Sequence, residues 1–258
     1  MKFLCLHGAG TNAQVFQDQL EGLILSLPPG NDIKFHFVQA PHELTSLPFD
    51  FEAYAGSGPH MRFIEHPQWI TMDDVIERIA KAPSGESAEM IWRHALDFYY
   101  SNDTPGRSEF IGSIGRSLAL LNSKIDEEGP FDGLIGYCEG ASFGATLILD
   151  RLRKESSLHA PQSFKCALFF SGYAPFAPDG SKVILADEYG QIFNFPTCHV
   201  IGSDDALIDG AMALLNLCDS GQATVIEGGS GHLMPQDSSA LRAVSASFLK
   251  LVELAQQA

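Results

Sequence analysis

Short runs of consecutive apolar residues alternate along the chain with longer stretches of helical period. Lys2–His7 (KFLCLH) is an apolar run broken by a glycine-containing turn, the pattern of a buried strand. A helix is predicted from Asn12 to Leu27, stopped by Pro28-Pro29-Gly30. Ile33–Val38 alternates and predicts a second strand, closing at Ala40-Pro41-His42. From Glu43 to Gly106 the pattern is poor and rich in Gly, Pro, His and aromatic residues, with one good helix near Glu86–Tyr100. A stretch this long without strands reads as a lid or substrate-binding insertion at 43–106. Helical spacing returns at Phe110, Ile114, Leu118, Leu121 and Ile125, and Gly129-Pro130 ends it. Short strands are then predicted at Phe131–Gly136, Cys166–Phe170, Thr197–Ile201 and Thr224–Ile226. Helices are expected after Cys138, running to about Glu155, and at Ser238–Ala255. No repeat or linker divides the chain. The expectation is one α/β domain spanning 1–258, with a mostly parallel central sheet and helices on both faces.

Composition narrows the function classes. The 258 residues are 45% hydrophobic and 19% charged, the make-up of an ordinary globular protein. No apolar window is long enough to span a bilayer. The apolar run at Phe3–Leu6 is too short for a signal-peptide core, so a cytoplasmic location is the default expectation. A formal net charge of −16 argues against nucleic acid or an anionic membrane as partner, since both demand a basic surface. The five cysteines form no CxxC pair and no zinc-ligand spacing, so neither a metal nor another cofactor is expected. Cys5, Cys166 and Cys198 sit in strand-like apolar runs and read as small core hydrophobes. Cys138 stands in a different setting.

Gly136-Tyr137-Cys138-Glu139-Gly140 has the G-x-nucleophile-x-G form of a strand-to-helix nucleophile elbow, with cysteine in the serine position. The turn is sharp, so residues two positions either side of the nucleophile must be small. It also places the sulfur at a helix N-terminus, where N–H groups and the helix dipole favour an anion. A thiol in such a place ionises readily and is a competent nucleophile. Chain order strengthens the reading, because the α/β-hydrolase fold presents nucleophile, acid and histidine in that sequence. The acid is expected after a late strand, where Gly202-Ser203-Asp204-Asp205 offers two candidates, Asp205 being preferred. The histidine is expected after the last strand, where Gly229-Ser230-Gly231-His232 lets His232 project between glycines. His232 would take the thiol proton and the carboxylate would fix the imidazole tautomer. Two backbone donors are needed for an oxyanion hole: the N–H of Glu139 and one from the loop after the first strand, with Ala9 favoured. The Glu139 side chain is expected in solvent, and His7 as a buttress of that loop. His42, His60, His66 and Trp69 lie in the insertion, either lining a pocket or packing.

Together these residues resemble the fungal FSH-type serine hydrolases. The likeness spans nearly the whole chain, through FLCLHGAGTNAQVF, FHFVQAPHEL, GYCEGAS, FFSGYAP, HVIGSDD and GGSGHLMP. It implies a single-domain α/β-hydrolase acting on esters and thioesters. Several members of that family are stand-alone thioesterases releasing polyketide acyl chains in secondary metabolism. The implied substrate is a small-molecule ester or an acyl thioester, free or on a carrier protein. In the aligned segment HVIGSDD the family's acid falls on Asp205. The departure is the nucleophile, because the family pattern is G-x-S-x-G. The elbow Gly-Tyr-Cys-x-Gly is instead similar to that of dienelactone hydrolases, which use a Cys–His–Asp triad. An acyl-thioenzyme is open to amines, thiols and carbanions, so acyl transfer or cyclisation stands beside hydrolysis as the expected outcome. A third reading, a binding protein that keeps the fold without turnover, predicts that Cys138→Ala leaves function intact.

Overall fold

A computed structural model describes residues 1–44, 55–67, 69–100, 104–155 and 164–257. Its centre is a six-stranded sheet in the order β2-β1-β5-β6-β7-β8, with every adjacent pair parallel. The strands are β1 (Lys2–Leu6), β2 (Lys34–Val38), β5 (Gly133–Tyr137), β6 (Cys166–Phe170), β7 (Thr197–Ile201) and β8 (Ala223–Glu227). A two-stranded antiparallel pair, β3 (His42–Glu43) with β4 (Met61–Arg62), lies apart from it. Strands β5, β6 and β7 are buried at every position, as strands covered on both faces must be, and they are the unbroken apolar runs of the sequence. The outer strands β2 and β8 mix exposed and half-buried positions, matching their weaker apolar character.

The helices follow from the parallel pairing. Connections between parallel strands are right-handed, so the direction in which the chain steps across the sheet decides which face each helix covers. The step from β1 to β2 carries α1 (Ala13–Ser26), and the opposite step from β5 to β6 carries α5 (Glu139–Glu155), on opposite faces. The closing helix α8 (Ser238–Gln257) returns to pack against α1, with Leu241 pressed on Gly22. Asn12 caps α1 by accepting the Val15 N–H at 2.9 Å. Gly129 ends α4 (Arg107–Glu128); a Cβ there would lie 2.3 Å from the Ile125 carbonyl oxygen. The strand order reverses between β1 and β5. At that point the loops leaving their C-terminal ends diverge and open a crevice, where α/β proteins place their sites.

The insertion is better structured than its sequence pattern suggested. Besides α3 (Ala88–Leu96), it contains β3, β4 and a helix α2 (Met72–Ala80). The signal for α2 is Thr71 with Asp74 three residues on, a reciprocal capping box in the structure. Residues 45–54, 68 and 101–103 of the predicted insertion lie outside the described residues. Helix α7 (Ile208–Asn216) was also absent from the sequence reading, because short buried helices of mixed apolar residues lack a polar face. Among the described residues no helix is long and apolar enough to cross a membrane.

Candidate active site

Cys138 joins β5 to α5 and carries φ 52°, one of two non-glycine residues in the left-handed region among those described. The turn is held from both sides. The Cys138 N–H donates to Phe170 O at 2.9 Å, and its carbonyl accepts the Ala141 and Ser142 N–H groups. The flanking glycines are required by contact. A Cβ at Gly136 would lie 2.4 Å from Ala141 Cα, and one at Gly140 would lie 2.3 Å from Leu6 O. Gly144, one turn on, presses α5 against Leu134 of β5 in the same way. The elbow spacing thus expresses the close approach of α5 to β1 and β5.

Asp205 and His232 are delivered to the same place from β7 and β8. The two loops lock together, with the Ser203 N–H donating to Gly229 O at 3.1 Å. A Cβ at Gly202 would fall 1.9 Å from Gly231 O, so only glycine fits there. Gly229 and Gly231 take positive φ around His232, and Tyr137 Oη donates to the His232 carbonyl at 2.8 Å. His232 Nδ1 lies 2.8 Å from Asp205 Oδ2 and 3.0 Å from Oδ1. A carboxylate only accepts, so Nδ1 donates to it and Nε2 is the ring nitrogen turned away from Asp205. That Nε2 is buried, and its neighbour among the described residues is the Cys138 sulfur. Asp204 points outward and accepts from Ser230 Oγ. Geometry therefore brings Asp205, not Asp204, to His232.

Two neighbours govern the charge of His232. Burial works against it, but the interaction with the Cys138 sulfur and the Asp205 hydrogen bond outweigh burial, pushing the His232 pKa up to about 10. Burial likewise opposes ionisation of Asp205, yet the bond to His232 leads the interactions that hold it below the ordinary carboxylate range. The Leu207 N–H and Ser171 contribute to the same end. Ser171, just after β6, is the other non-glycine residue at positive φ (43°) among those described, and the sequence pattern offered no role for it although Gly172 follows it directly. The remaining thiols differ in kind. Burial pushes those of Cys166, Cys198 and Cys218 up to about 12, and that of Cys5 up as well.

The loop after β1 closes over the elbow, and a Cβ at Gly8 would lie 3.3 Å from Cys138 Cβ. Among the described residues neither the Ala9 nor the Glu139 N–H donates to a protein acceptor. His7 supports this loop from within. Its Nε2 accepts the Ala40 N–H at 3.1 Å, so Nδ1 carries the proton and donates to Gly8 O at 2.8 Å. Burial drives its pKa down to about 4, which keeps it neutral.

The Glu139 side chain is not in solvent as expected. It is 1% exposed, accepting the Phe63 N–H at 2.6 Å and facing His66 and Arg62. The sequence reading erred because these partners come from the insertion, which no local pattern places over the elbow. The insertion's other candidates hold structure. His42 meets Ser113 and Ser117 of α4, His60 bonds Gly10 O, and Trp69 donates to Pro105 O at the surface.

Residues 1–244 match the family model described as "Serine hydrolase (FSH1)". The chain belongs to this serine hydrolase family. Among its FSH1-type relatives it is 26% identical to hydrolase phiM of Talaromyces stipitatus, over 97% of this chain and 87% of that one. It is also 26% identical to esterase FPY3 of Fusarium mangiferae, over 92% and 89%. Esterase citA of Monascus ruber is 25% identical over 91% and 85%. The fold is shared with solved structures. Esterase PE8 aligns with a TM-score of 0.52 at 18% identity, covering 97% of this chain and 92% of its own. SOBER1 of Arabidopsis thaliana aligns at 0.51 and 14% identity, covering 98% and 99%. This FSH1-family chain therefore has the α/β-hydrolase fold, with cysteine at the elbow of a family named for serine.

Proposed function

We propose that this chain is a cysteine-dependent hydrolase of esters and thioesters, with Cys138, His232 and Asp205 as its triad. The observation that carries the reading is the His232–Asp205 pair with the other imidazole nitrogen, Nε2, buried beside Cys138. Cys138 Sγ attacks the substrate carbonyl carbon, forming a C–S bond and a tetrahedral oxyanion. The N–H groups of Ala9 and Glu139 point to that oxygen as its donors. The intermediate collapses as the alkoxide or thiolate leaves and takes the proton from His232. Water then attacks the acyl-thioenzyme, His232 accepts its proton, and the free acid departs with Cys138 restored. Asp205 holds the imidazole tautomer throughout.

The substrate reading is a hydrophobic acyl group of the polyketide kind, free or carrier-bound. It is supported by the resemblance to stand-alone thioesterases and by Leu233, exposed beside His232. The segment 43–106 is assigned to substrate binding within a single domain, since its described part lies against the loop of Ala9. A thioester at Cys138 also favours a second outcome, transfer of the acyl group to an amine, thiol or carbanion in place of water.

Intact-mass measurement after mixing with acyl thioesters of N-acetylcysteamine tests the first step. One acyl mass is expected on the wild-type chain and none on Cys138→Ala. Undiminished turnover by Cys138→Ala would sink the proposal. Product analysis in the presence of an amine acceptor separates the two outcomes, because a product without added water excludes hydrolysis.

A further inference from the structure

Residues 57–66 of the insertion lie across the site and are fastened on both flanks. On one flank the Gly10 N–H donates to Met61 O at 2.9 Å, and the Met61 N–H donates to Thr11 O at 2.8 Å. His60 Nδ1 meets Gly10 O at 2.9 Å, and Asn12 Nδ2 reaches the carbonyls of Ser57 and Pro59. This flank is the loop that carries the Ala9 N–H. On the other flank the Phe63 N–H donates to Glu139 Oε1 at 2.6 Å. Glu139 also owns the second of the two oxyanion donors. The strap therefore spans both donor groups and fixes their separation.

Fastening to a carboxylate has an electrostatic consequence. Glu139 Oε2 takes a hydrogen bond from His66 Nε2 at 3.4 Å, while His66 Nδ1 lies 2.5 Å from Tyr99 Oη. Burial and Arg62 favour the neutral form of His66, so His66 supplies a hydrogen bond and no charge. The cation facing Glu139 is Arg62, its Nη2 3.9 Å from Oε2 and its Nε buried with no acceptor among the described residues. Negative charge builds one residue away, on the Cys138 thiolate and then on the oxyanion. A buried carboxylate beside it opposes both unless a counter-charge is held close.

We propose that Glu139 is a positioning residue, its carboxylate clamping the strap that sets the oxyanion hole, and that Arg62 is the counter-charge that makes this clamp compatible with an anionic reaction. The inference rests on the acyl-enzyme reading of Cys138. The side chains of Arg62 and Glu139 act through other groups and need not touch the substrate.

The test is steady-state hydrolysis of p-nitrophenyl butyrate by single and double variants, with melting temperature recorded for each. Glu139→Ala removes the acceptor of Phe63 and lowers kcat about tenfold or more, with KM nearly constant. Glu139→Gln keeps an acceptor oxygen and loses less. Arg62→Met leaves the carboxylate uncompensated and lowers kcat by roughly ten- to a hundredfold, while Arg62→Lys keeps the charge and most of the rate. The deciding result is the double variant Arg62→Met/Glu139→Gln, expected to be faster than Arg62→Met alone. A double variant as slow as the product of its singles would overturn the proposal. So would a Glu139→Ala variant with altered melting temperature and unaltered kcat, a comparison that stands even if Arg62→Met does not fold. Turnover by Cys138→Ala equal to the wild type would overturn the acyl-enzyme reading itself, and this one with it.

Discussion

His232 shows how a single residue's chemistry is set by its neighbours. Desolvation alone would depress an imidazole pKa, yet the Cys138 sulfur and the carboxylate of Asp205 raise it from 6.5 to about 10. A folded-state pKa raised in this way contributes stability that is fully present below 6.5 and is lost as pH rises through about 10. In NMR titration the His232 imidazole of the wild type should remain protonated at pH 8, and Cys138→Ala should move its midpoint down. A wild-type midpoint near 6.5 would contradict the ion pair. Asp205→Asn keeps the shape but offers Nδ1 the wrong partner, and a fall in kcat on the order of 10⁴ is expected. Equal activity of that variant would remove Asp205 from the proposed triad.

At the level of elements, the site is a set of helix and loop ends forced together. The elbow exists because α5 leaves β5 within contact of β1, and its two glycines are the points of contact. Gly136→Ala or Gly140→Ala drives a methyl into backbone atoms that have no room to retreat. Either should cost about 3 kcal/mol, a fall in melting temperature of roughly 6–12 °C for a chain of this size. An unchanged melting curve would mean that the turn relaxes more easily than its contacts indicate. Asn12 serves two elements, capping α1 and holding the strap at Ser57 and Pro59. Asn12→Ala should therefore cost more than the roughly 1 kcal/mol of an isolated N-cap. The excess should appear as faster proteolysis within 57–66.

For the molecule as a whole, the arrangement sorts the thiols. All five cysteines are buried, but four are core side chains whose thiols burial keeps protonated. Only Cys138 has a histidine–carboxylate pair beside it. Iodoacetamide at neutral pH should thus modify one thiol in the native protein and five in denaturant, with the native reaction lost in His232→Ala. Labelling spread over several cysteines would deny Cys138 its special reactivity.

Much of this was legible in the chain itself. Apolar runs marked β5, β6 and β7 because strands buried on both faces carry no polar alternation, while β2 at the sheet edge was marked by alternation. Gly136 and Gly140 announced the elbow, and Gly229 and Gly231 the histidine loop, because backbone demands of that kind admit few other residues. Cys138, Asp205 and His232 were selected by their order along the chain, and the locking of two loops through Gly202 and Gly231 brought them together. Tertiary structure decided what local patterns left open. The preference for Asp205 over Asp204 was supported by the aligned segment HVIGSDD, and the structure sets Asp205 on the imidazole, since neighbouring residues leave a turn in different directions. It buried the Glu139 carboxylate beneath Phe63, His66 and Arg62, whose positions depend on how the insertion folds back. Contacts between residues far apart in sequence carry no periodicity, so no pattern in the chain could have paired them.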